Sequence, residues 1–100
     1  MNLTSMKKVT IVAEEVLEKR LSGELRDLGV RGYTIADVRG EGAHGARPSE
    51  WTGHNVQFDL VVSEALALRI LEHLDTTYFG ARAVVAWLTT VEVNRPSLFL

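Results

Sequence analysis

One hundred residues with 11 basic and 13 acidic side chains, a net charge of −2 and 46% hydrophobic content fit one domain, residues 1–100, with a single core. The near-neutral balance offers no basic field for nucleic acid or an anionic membrane, and the lack of cysteine excludes disulfides, thiolate catalysis and zinc–cysteine sites. No apolar run approaches the roughly 20 residues that span a bilayer, and no signal-peptide core follows Lys7 and Lys8, so a soluble, cytoplasmic protein is expected.

Lys7 to Ala13 alternates, with Val9, Ile11 and Ala13 on one side and Lys8, Thr10 and Val12 on the other, which predicts a strand. From Val16 the period changes. Leu17, Leu21, Leu25 and Leu28 share one face of a helix that Gly29 should stop, and Glu14 and Glu15 should open it, where acids favour the dipole. Gly32 to Gly40, rich in Tyr, Thr, Ile and Val, reads as a second strand. Asn55 to Ser63 alternates with Val56, Phe58, Leu60 and Val62 inward. Ser63 can cap a helix from Glu64 to about Thr77, with Leu66, Ile70, Leu71 and Leu74 inward. Ala81 to Val93 is the last strand, and residues 94–100 form a tail that Pro96 keeps irregular.

The order βαββαβ predicts an α+β, ferredoxin-like sandwich: a four-stranded antiparallel sheet with two helices on one face. Many functions share that plan. The last strand is apolar on both sides, with Ala83, Val85, Trp87 and Val91 on one and Val84, Ala86 and Leu88 on the other. Helices on one face leave the other as an apolar patch, which a homo-oligomer would bury and a monomer would expose.

The long segment Gly40 to His54 joins two strands that a tight turn could have joined, and a small domain keeps such a loop to bind something. Gly40, Gly42 and Gly45 permit close main-chain approach, and Arg47 and His44 can donate to an oxyanion, so an anion site and an idle hairpin loop both fit. A metal held by Glu41, His44, Glu50 and His54 is a weak reading at that spacing. Ser49 between His44 and His54 lacks the strand–turn–helix setting of a nucleophile elbow. Trp51 is either a partner anchor or folds back on its own loop.

The run Gly29-Val30-Arg31-Gly32-Tyr33-Thr34-Ile35, then Gly40-Glu41-Gly42 with Arg47, then Asn55-Val56, resembles the second strand, T-loop and third strand of the PII-like signalling proteins. The likeness extends from Lys7 to Arg95. Ser49-Glu50-Trp51 and Gly53-His54-Asn55 resemble the carboxysome-associated and bicarbonate-uptake branch. The resemblance implies a homotrimer with adenine-nucleotide sites in the clefts between subunits. It places Gly32, Tyr33 and Thr34 at the base or ribose, the main chain of Gly40, Gly42 and Ala43 near the phosphates, and Arg47, His44 and Arg95 on phosphate oxygens. Arg47 is its candidate for bicarbonate, and Glu50 and Trp51 for contact with a target such as an inorganic-carbon transporter, which would bring the protein to the membrane. It implies neither catalytic residues nor a metal.

The chain departs from the family pattern in three places. Thr77-Tyr78-Phe79-Gly80-Ala81-Arg82 has no lysine where standard PII proteins grip ATP phosphates, which favours ADP or AMP over ATP and leaves cyclic AMP open. The loop lacks the glutamine tied to 2-oxoglutarate sensing and the tyrosine that some relatives have uridylylated. His44 stands where a relative carries arginine, making that contact pH-dependent. Two readings compete with a non-catalytic regulator: a small ferredoxin-like enzyme using His44, Glu50 or His54, and a purely structural trimer.

Overall fold

The computed structural model describes residues 1–40, 54–78, 80 and 84–100. Its elements are β1 (Thr4–Glu14), α1 (Glu18–Leu28), β2 (Thr34–Val38), β3 (Asn55–Val62), α2 (Glu64–Tyr78) and β4 (Val84–Val93). The strands form one antiparallel sheet in the order β2-β3-β1-β4, the ferredoxin-like plan expected.

The alternation in β1 and β3 decides which face is covered. Ile11 pairs with Phe58 and Val9 with Leu60, so the apolar side chains of both central strands share one face. Val9, Ile11, Ala13, Val56, Phe58, Leu60 and Val62 are all buried there. Leu21 and Leu25 of α1 and Ala67, Ile70, Leu74 and Tyr78 of α2 close the core from above. From β4, Val84, Ala86 and Leu88 pack against it. Their neighbours point the other way: Val85 is 43% exposed and Trp87 47%.

Both helix boundaries follow from local chemistry. The Leu66 N–H donates to Ser63 Oγ at 3.2 Å, the cap the sequence predicts for α2. Gly29 takes φ of 104°, which a side chain would disfavour. The Val30 N–H then reaches the Leu25 carbonyl at 3.0 Å while Val30 itself is buried, a Schellman-type stop.

Several boundaries differ from expectation. β1 begins at Thr4 rather than Lys7 because β4 continues the ladder, pairing Val93 with Thr4. Glu14 and Glu15 do not open α1. Glu14 ends β1 opposite Asn55, and Glu15 starts a 3-10 turn (Glu15–Leu17) whose first N–H donates to the His54 carbonyl at 3.1 Å. Glu18 is the acid in the first turn of α1. β2 is confined to Thr34–Val38, its span of pairing with β3. α2 runs one residue further, to Tyr78, and the tail contains a 3-10 turn at Pro96–Leu98. The expected start of β4 at Ala81 lies outside the described residues.

Because Phe58 is wholly buried and Ser63 acts only at a helix end, Phe58→Ala should lower the unfolding free energy by about 3–5 kcal/mol and Ser63→Ala by about 1 kcal/mol. Urea denaturation of both variants measures the ranking, and an equal loss would contradict this placement of the core.

Candidate functional site

Of the site residues named from the sequence, Gly32, Tyr33, Thr34, Gly40 and Arg95 are described. Four intervals of extended chain put Thr34 and Val38 about 13 Å apart along β2. Gly32 and Gly40 lie beyond its opposite ends.

At one end the chain leaves β2 through exposed Gly40 and re-enters the sheet at Asn55, which is 3% exposed. Gly42, Ala43, His44, Arg47, Glu50 and Trp51 fall between them, outside the described residues. The link from α2 to β4 arrives at this same end, since Val84 pairs with Ala13. Beside it is a cleft of about 330 Å³ between α2 and β4, lined by Leu71, Leu74, Asp75, Tyr78, Val84, Val85 and Ala86.

Tyr78, the last residue of α2, is anchored from α1. Its hydroxyl donates to Glu24 Oε1 at 2.6 Å, and the Arg20 guanidinium lies 5.0 Å from its ring centroid. Arg20 Nε donates to Glu24 Oε2 at 3.4 Å, and His73 Nε2 stands 3.6 Å from Glu24 Oε1. Burial, then the hydrogen bond to Glu24 and its negative charge, push the Tyr78 phenol up to about 12 against the opposing pull of Arg20.

Away from that end lie Gly32, Tyr33 and Thr34 at the start of β2 and Arg95 after the end of β4. Gly32, Thr34 and Arg95 are exposed. The ring of Tyr33 packs edge-on against Phe58 with centroids 5.3 Å apart, so part of this side chain belongs to the core. Thr34 Oγ1 donates to the Asp59 carbonyl at 3.4 Å. Arg95 precedes the Pro96–Leu98 turn, and Arg31 Nη1 donates to the main-chain oxygen of Leu100. Gly32–Thr34 and Arg95 thus lie in the strand direction away from Gly40, but Thr34 is level with Trp87 across the sheet while Arg95 lies beyond Val93, the partner of Thr4.

The uncovered sheet face carries its own polar row. Strand pairing sets Thr34, Asp59, Thr10 and Trp87 side by side across all four strands. Thr10 Oγ1 donates to Asp59 Oδ1 at 2.7 Å and Gln57 Nε2 to Asp59 Oδ2 at 3.0 Å. Burial works against the Asp59 charge, but these two bonds and the charge of Lys8 outweigh it and hold the carboxyl below its ordinary value.

Among the described residues no three His, Asp or Glu side chains gather as metal ligands, and no helix is long and apolar enough to cross a membrane. Of the candidates for metal binding or catalysis, Glu41, His44 and Glu50 lie outside the described residues, and His54 is exposed just before β3. The Glu24–Tyr78 anchor and the Asp59 network escaped the sequence reading. Arg20 and Glu24 are spaced for an i,i+4 pair, but nothing local connects Glu24 with a tyrosine 54 residues away.

The family model described as nitrogen regulatory protein P-II matches residues 6–97. A PII-like signalling protein from Thermus thermophilus is 44% identical, with all of both chains covered and a TM-score of 0.83. CPII from Thiomonas intermedia is 27% identical. Its structure bound to ADP, AMP and acetate matches with a TM-score of 0.85, covering 99% of this chain and 98% of that one. Its structure bound to ADP and bicarbonate matches at 0.83 with the same coverage.

The Asp59 network makes a prediction in acid. A carboxyl with a depressed folded pKa contributes stability that is present above its unfolded value, near 3.8, and is lost as pH falls through the lower folded value. Asp59→Asn should therefore flatten the fall in urea midpoint below about pH 4. An unchanged pH profile between about pH 2 and 5 would contradict the network.

Proposed function

Because the chain belongs to the P-II family, whose members are non-catalytic signalling proteins, we propose that it is a regulatory homotrimer that binds ADP or AMP in the clefts between its subunits. The observation that carries this reading is the ligand set of CPII, a relative matching nearly the whole chain, which is bound to ADP and AMP in one structure and to ADP and bicarbonate in another.

The geometry supports a shared site. Gly32, Tyr33 and Thr34 lie at the start of β2, and Gly40, which leads into the segment that carries Gly42, Ala43, His44 and Arg47, lies past its end. In the proposed site two copies supply the two sets, one copy Gly32–Thr34 and the next the segment that follows Gly40. The exposed Val85 and Trp87 on the uncovered sheet face give those copies an apolar surface on which to associate.

In this reading, Gly32, Tyr33 and Thr34 of one copy meet the base or ribose. The packing of the Tyr33 ring on Phe58 leaves the main chain as its principal contribution. The main chain of Gly40, Gly42 and Ala43 from the next copy approaches the phosphates, with His44, Arg47 and Arg95 donating to their oxygens. Bicarbonate would share the Arg47 guanidinium. Ligand contacts offset the entropy of fixing the 40–54 loop, so nucleotide selects one loop conformation. Glu50 and Trp51 then face the target, an inorganic-carbon transporter or a related membrane protein, which places the otherwise cytoplasmic regulator at the membrane.

Calorimetric titration with ADP, AMP, ATP and cyclic AMP, with and without bicarbonate, tests the reading. ADP or AMP should bind, and Arg47→Ala or Arg95→Ala should weaken binding about tenfold or more. Gly42→Val should also weaken it by hindering main-chain approach. No binding by any of the four at millimolar concentration would overturn the reading. Sedimentation should give a trimer that Trp87→Glu dissociates; a monomeric parent protein would exclude the shared site.

A further inference from the structure

We draw no further inference here: the strongest candidate, the uncovered sheet face on which exposed Val85 and Trp87 lie beside the Asp59 carboxylate and its Thr10 and Gln57 donors, belongs to the association surface already described, and nothing in the structure shows what lies against it.

Discussion

Two helices can cover one face of a four-stranded sheet, and the consequences of that limit run through the molecule. The sequence of β4 is apolar on both sides, but only Val84, Ala86 and Leu88 find the helix layer, leaving Val85 and Trp87 on the other face. Across that face run Trp87, Thr10, Asp59 and Thr34, a row in which apolar surface meets a hydrogen-bonded carboxylate. A surface that is apolar at one margin and polar in a fixed geometry at its centre suits association in a single register. Burying Val85 and Trp87 supplies attraction, while a misplaced partner would leave the Asp59 charge poorly satisfied.

The proposed site follows from the same architecture. β2 is short, and its two ends open onto different parts of the surface. Gly32 and Tyr33 lead into it, Thr34 is its first residue, and the segment after it carries Gly40 and the long loop. The proposed function assigns both segments to one nucleotide, supplied by neighbouring copies of a ring. ADP and AMP are the nucleotides bound by the relative CPII, and the proposed function takes its ligand chemistry from them. Within the helix layer, the hydrogen bond from Tyr78 to Glu24 ties the end of α2 to α1.

Local patterns were legible where local physics decides them. Alternation placed Val56, Phe58, Leu60 and Val62 in the core, and all four are there. Gly29 and Ser63 mark helix ends through conformations and bonds involving only their near neighbours. The two-sided β4 announced an uncovered face. Boundaries set by partners were less legible: β1 is lengthened by β4, β2 is cut to its paired span, and Glu15 is drawn into a 3-10 turn by the His54 carbonyl. Contacts distant in sequence were not legible at all. Nothing near Glu24 points to Tyr78, and Asp59 finds Thr10 only through strand register. Likewise, the separation of Gly32 from Gly40 becomes meaningful only once β2 is known to be extended between them.

The central claim is that two copies of the chain build one nucleotide site, and mixing variants tests it most directly. Arg95→Ala impairs one end of the subunit and Gly42→Val the other. Each variant alone should lose most ADP binding. Co-refolded at equal ratio, they should recover intact sites at about one in four of the total, the fraction of junctions where an unaltered end of one copy meets an unaltered end of the next. Calorimetric stoichiometry of the mixed trimers reads that fraction. Recovery near one quarter is the predicted result; two inactive variants whose mixture recovers no sites would contradict a site shared between copies.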